Sequence, residues 1–305
     1  ACTGSGTYVC DEIEIEDSTT LRPGEPYEDL AAELNPPGSS YTKIQAPNSS
    51  AGYWLGGVET SFTIQAWLKP TDCETATNHA TFIQKDNSYS FACKGGSLYY
   101  ALGNGTGWYG SPWVNTNVPV EDDVWQHVAF TRSGSSNPVK VYLNGVLSFT
   151  ASSSVSDLGA NNSLALALGG ALTDTTGANG YSGLLDDVRI YTSDRSSTIA
   201  DDMNEYPNVN HAALNAFFDF NLERHGDTIT SVPNMAKGSG AISASLTNVI
   251  GSPDVVRTWD VSTVGSDTVL TFERTVLTAQ GGWRVPTSVV DVEYLVLGGG
   301  GGGGA

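Results

Sequence analysis

Apolar and polar residues alternate along much of the chain. The run Phe62-Thr-Ile64-Gln-Ala66-Trp67-Leu68 has the period of two of a half-buried strand, and similar runs occupy 81–84, 88–93, 97–102, 125–131, 139–149 and 163–168. Within 139–149, Asn144-Gly145 separates two apolar stretches, and because both residues tolerate positive φ the pair predicts a type I′ hairpin. Many short strands with closely spaced turn signals predict two antiparallel sheets packed face to face rather than βαβ units. In such a sandwich Trp67, Trp125 and Tyr142 are expected to point inward between the sheets.

Helical patterning is confined to two short stretches. Residues 26–34 begin with Pro26 and acidic residues and stop at Asn35-Pro36-Pro37, which predicts a helix. Thr198 with Asp201 three positions on, and Ile199 and Met203 four apart, predict a second. Past Asn248 the β pattern restarts: 269–274, 283–286 and 289–297 read as strands ahead of a glycine run over 298–304. Three strands cannot bury a core alone, so this segment is expected to continue past Ala305 or to complete itself with another chain. The expected organisation is a disulfide-linked strand and helix over 1–40, a sandwich over 41–250, and a partial β segment over 251–305.

Charge narrows the function classes. With 14 Lys+Arg against 33 Asp+Glu the chain carries a formal −19, which argues against a nucleic-acid partner because polyanion binding needs clustered cations. A 39% hydrophobic content is enough to bury a sizeable core. The longest nearly apolar stretch, Leu164 to Leu172, is broken by glycines and too short to span a bilayer, so no membrane span is expected. Four cysteines allow three pairings, of which the local one, Cys2–Cys10 with Cys73–Cys93, is expected. Disulfides imply an oxidising compartment, hence an extracellular or cell-surface location. Neither pair has CxxC spacing and histidine is scarce, so structural zinc is not expected.

Three stretches carry a resemblance: Ser61 to Pro70 (SFTIQAWLKP), Trp125 to Arg132 with Val139 to Gly145 (WQHVAFTR, VKVYLNG), and Gly183 to Tyr191 (GLLDDVRIY). In order and spacing they resemble the laminin-G-like, concanavalin A-like jelly-roll family over about residues 41–235. The resemblance implies an all-β, two-sheet antiparallel jelly-roll sandwich. It departs at Ala213 to Asn221, which is similar to a strand that usually opens such a domain but here comes last. The final 50 or so residues resemble the glycine-rich repeats of large bacterial surface proteins.

Candidate chemistry is sparse. No G-x-S-x-G elbow, phosphate-cradling loop or EF-hand loop is present. Glu12, Glu14 and Glu16 share one face of a predicted strand and resemble the acid/nucleophile strand of jelly-roll glucanases, although Glu14 replaces the central Asp. A solvated acidic edge strand is the preferred account. By resemblance, Asp187 and Asp186 match a structural Ca²⁺ position, with Asp86-Asn87 and Glu121-Asp122-Asp123 as alternatives. Tyr100, Asn104, Trp108, Tyr109 and Trp113 combine rings with Gly and Asn as a sugar-binding loop does. The expected function is a non-catalytic adhesion module of a larger microbial surface protein, binding a glycan or neighbouring protein. The alternatives are a filament subunit assembled through the C-terminal strands and a jelly-roll glycoside hydrolase.

Overall fold

The computed structural model describes residues 30–272 apart from 36–40, 47–60, 135, 153–164, 222–225, 240, 242–245, 258 and 265–266. The acidic strand with Glu12, Glu14 and Glu16, Cys2, Cys10, the strands at 283–297 and the glycine run lie outside the described residues.

The chain forms β1 (Leu30–Leu34), β2 (Lys43–Gln45), β3 (Phe62–Pro70), β4 (Ala80–Lys85), β5 (Tyr89–Lys94), β6 (Ser97–Gly103), β7 (Trp108–Pro119), β8 (Gln126–Arg132) and β9 (Lys140–Leu143). It continues through β10 (Val146–Thr150), β11 (Leu166–Leu168), β12 (Gly183–Tyr191), a single helical turn α1 (Ile199–Asp202), β13 (Leu214–Phe218), β14 (Asn248–Ile250), β15 (Asp254–Arg257), β16 (Trp259–Val264) and β17 (Asp267–Phe272). Among the described residues one sheet runs β10-β9-β8-β3-β12-β1-β15 with β13 also on β12, and the other runs β14-β2-β11-β4-β5-β6-β7. The named strand pairs within both sheets are antiparallel, and β16 and β17 pair with each other. The protein is therefore an all-β sandwich of jelly-roll type.

Strand alternation builds the core between the sheets. Phe62, Ile64, Ala66 and Leu68 of β3 pack with Phe82, Phe91, Tyr100 and Phe130, and the Phe91 and Phe130 rings lie 4.1 Å apart. At the β9–β10 hairpin Asn144 and Gly145 both take positive φ, 48° and 79°, as a type I′ turn requires.

Three large rings expected between the sheets lie on the opposite face. Trp67 and Trp125 pack with Ala31, Leu184 and Met203, while Tyr142 packs with Ala129 and Ile199. The sheet's outer face is thus covered by α1, whose Ile199 and the following Met203 sit over these rings. The Thr198 side chain makes no capping bond to the helix backbone and donates to Asp202 Oδ2 instead.

From Leu30 onward, the stretch expected as helix is β1, between β12 and β15. Ala31 lies under the two tryptophans and Ala32 in the main core. A strand buried on both faces reads as a continuous apolar run, which periodicity cannot distinguish from helix, and ladder pairing overrides alanine's helix propensity. Along β12, β1 pairs up to Leu185 and β13 begins at Val188, so the neighbouring strand changes at Asp186-Asp187. There β12 is irregular against β3 and Asp187 takes a φ of 55°.

Candidate functional site

Loops at one rim of the sandwich enclose a cleft of about 430 Å³. Asn35 after β1, Tyr41 before β2, residues 75–78 before β4, and residues 176–182 between β11 and β12 contribute its walls, with Asp72 beside them. The Tyr41 ring lies against glycines: a methyl group added at Gly170 would overlap its Oη, and at Gly177 or Gly180 it would crowd the ring at 3.0–3.1 Å. Glycine is the residue that permits so close an approach. Asn35 joins both walls, since its Nδ2 donates to Gly169 and Tyr181 carbonyls and its Oδ1 accepts the Thr42 N–H.

The Asp72 loop is held from three directions. Cys73 forms a disulfide with Cys93 on β5, Gly96 N–H donates to Cys73 O, and the Asp122 carboxylate accepts the N–H groups of Cys73 and Glu74. Two buried polar atoms here have no hydrogen-bond partner: Tyr41 Oη and Asp72 Oδ1. Burial raises the Tyr41 phenol well above its ordinary pKa, and the nearby Asp174 charge adds to this. Burial also raises the Asp72 carboxyl, a hydrogen bond from Ser182 opposes the rise, and the Asp122 charge reinforces it.

Next to the cleft-lining Asn78, His79 stacks on Trp113 with ring centres 4.2 Å apart and planes 4° from parallel, and meets Tyr99 edge-on at 5.0 Å. These rings sit on the outer face of the second sheet, where Thr81 pairs with Ala92, Ala92 with Tyr99, and Ala101 with Trp113. The small Ala92 and Ala101 side chains leave room for the larger rings to lean across. Burial first, and the Lys94 charge second, lower the His79 pKa to about 4, so the ring is uncharged at neutral pH.

Of Tyr100, Asn104, Trp108, Tyr109 and Trp113, singled out from sequence, only Trp113 joins this group. Tyr100 belongs to the main core, edge-on to Phe130, because inward parity on β6 alternates with the outward Tyr99. Trp108 and Tyr109 belong to β7, a long strand rather than a loop, and Tyr109 packs against the core. Asn104 is exposed and uses its Oδ1 to accept from Thr106 and Gly107 within its own turn.

The carboxylates offered as alternative calcium positions lie in separate surroundings. Asp187 pairs with Arg189 at 3.0 Å, Asp186 Oδ1 accepts the Asp187 N–H, and Asp86, in the β4–β5 turn, accepts the Asn87 N–H. Asp122 pins the Asp72 loop, while Glu121 and Asp123 are exposed. Among the described residues no three His, Cys, Asp or Glu side chains are grouped to hold a metal ion. No helix among the described residues is long and apolar enough to cross a membrane.

Sequence reasoning passed over Tyr41, Asp72, His79 and Asn35. The available signals were weak: an aspartate beside a bridging cysteine, and a tyrosine whose glycine partners are more than a hundred positions away.

No curated protein matches the sequence. Among solved structures, a candidate carbohydrate-binding protein from Bacteroides ovatus superposes with a TM-score of 0.53 at 13% identity, covering 76% of this chain and 60% of that one. The chain thus spans about three-fifths of that protein. Domain 4 of AbnA, a GH43 extracellular arabinanase from Geobacillus stearothermophilus in complex with arabinotriose, gives 0.39 at 22% identity, covering 60% and 83%. The SAP-like pentraxin of Limulus polyphemus gives 0.39 at 13% identity, covering 82% and 97%. Residues 38–198 match the Laminin G 3 family, described as the concanavalin A-like lectin/glucanases superfamily. That match spans more than half of the 305 residues, and the chain belongs to this superfamily.

Proposed function

We propose that this chain is a non-catalytic, extracellular carbohydrate-recognition module of a larger surface protein, and that the rim cleft holds its ligand. The observation that carries the reading is the polar lining of the cleft, where Asn35, Tyr41, Asp72, Thr75, Asn78 and Ser182 bring hydroxyl, amide and carboxylate groups together. A sugar hydroxyl is both donor and acceptor and can pair with amide, hydroxyl and carboxylate groups of this kind. The neighbouring rings of Tyr99, His79 and Trp113 offer apolar surface for a sugar's C–H face.

Charge points to neutral or amino sugars. No Lys or Arg lines the cleft among its described residues, and Asp72 would repel a uronate or sialate carboxylate. Asp72 is also the one carboxylate among those lining residues, whereas glycoside hydrolysis ordinarily uses two, which supports a binding role. The Cys73–Cys93 bridge supports an oxidising, extracellular setting. Superfamily membership, and the fold shared with the Bacteroides ovatus protein, are consistent with this reading.

The test is an immobilised panel of neutral, amino and acidic oligosaccharides, probed with the intact chain and with Tyr41→Phe. Binding among the neutral or amino members that Tyr41→Phe loses is the expected result. A blank panel, or equal binding by the variant, would overturn the proposal.

A further inference from the structure

Lys43 of β2 is 1% exposed, and its ammonium donates to three backbone carbonyls of one loop: Ala171 at 3.0 Å, Leu172 at 2.9 Å and Asp174 at 2.9 Å. An ammonium has three N–H donors, so its hydrogen-bonding capacity is fully used. Its Nζ also stands 5.5 Å from the centre of the Tyr41 ring. Converging carbonyl oxygens are the ligand type that hard cations take.

We infer that the Lys43 ammonium fills a cation site built beneath the loop that forms one cleft wall, so that the loop carrying residues 171–180 is shaped by an ion belonging to the chain and needs no free metal. Three carbonyls of one short loop point at one place, and without a cation there they would be buried against one another. The order then spreads along the loop. The Asp174 carboxylate accepts Thr176 N–H at 2.8 Å, Thr176 Oγ1 at 3.0 Å, Gly177 N–H at 3.1 Å and Asn179 N–H at 2.6 Å, and Thr176 and Gly177 face the cleft. Burial lowers the Lys43 pKa and the Asp174 charge works against that change. Lys43 is thus a positioning residue for the wall and for Tyr41. This inference goes beyond the carbohydrate reading, and its test requires no ligand.

Amide hydrogen exchange on the intact protein reads the loop directly. Chelation with EDTA should leave protection at the Thr176, Gly177 and Asn179 amides unchanged in the wild type. Lys43→Met, which keeps the aliphatic stem and removes the charge, should lower that protection roughly tenfold or more while β3 and β8 amides hold. Lys43→Ala should behave likewise and regain protection with added n-propylammonium, which replaces the atoms removed; Lys43→Met should show no such rescue. In the ¹⁵N-labelled wild type, the Lys43 ammonium should give a slowly exchanging signal at neutral pH, a measurement independent of whether any variant folds. Loss of protection on chelation, wild-type protection in Lys43→Met, or absence of that ammonium signal would overturn the inference.

Discussion

The Trp113 indole lies flat on the His79 imidazole, joining β7 to the residue that precedes β4 across two intervening strands. This contact ties an aromatic surface to the chain segment that lines the cleft. A double-mutant cycle with His79→Ala and Trp113→Ala should give a coupling of ~0.5–1.5 kcal/mol by urea unfolding. Additive single effects would show that the stack is incidental.

Tyr41→Phe separates binding from stability. Removing a hydroxyl that has no partner should leave stability unchanged or raise it by ~1 kcal/mol, while weakening glycan binding. Thermal melts and the oligosaccharide panel measure the two effects; a clear drop in melting temperature would mean that the hydroxyl is structurally engaged.

Asp72→Asn removes the cleft's negative charge but keeps its shape. Acidic oligosaccharides should then gain affinity relative to neutral ones, by an amount that shrinks with added salt. Unchanged selectivity on the panel would place charge discrimination elsewhere.

The disulfide should contribute both stability and site shape. Closing a loop with a sequence separation of 20 is worth about 3 kcal/mol on chain-entropy grounds. The double variant Cys73→Ser, Cys93→Ser should lose about that much in chemical denaturation and expose the Asp72 loop to faster hydrogen exchange.

Asp219, beyond β13, makes stability pH-dependent. Burial raises its carboxyl from 3.8 to about 6, the Asp187 charge adds to this, and hydrogen bonds from Asn221 and Tyr206 oppose it. The folded chain therefore keeps this proton to higher pH than the unfolded chain, and its contribution to stability falls as pH rises from about 4 through 6, by roughly 1–3 kcal/mol. Asp219→Asn should flatten that part of the profile in urea titrations from acid to neutral pH; an unchanged slope would assign the dependence to another group.

Local chemistry decided much that was legible from the sequence alone. Alternation at Phe62 to Leu68 implies a strand, because side chains on a pleat take opposite faces, and Asn144-Gly145 implies its turn, because both residues accept positive φ. The spaced motifs around Trp67, Trp125 and Asp186 identified the sandwich. Alternation does not say which face is inward once both faces are covered: Trp67 and Tyr142 lie under the helical turn, and Tyr100 enters the core instead of a binding loop. Only tertiary pairing made β1 a strand, since its alanines suit a helix equally well. The cleft was decided by the tertiary structure as well. Tyr41, Asp72 and the glycine loop at 169–180 meet only when the loops of two sheets close at one rim, and no local pattern records which distant residues will leave Tyr41 Oη and Asp72 Oδ1 without partners.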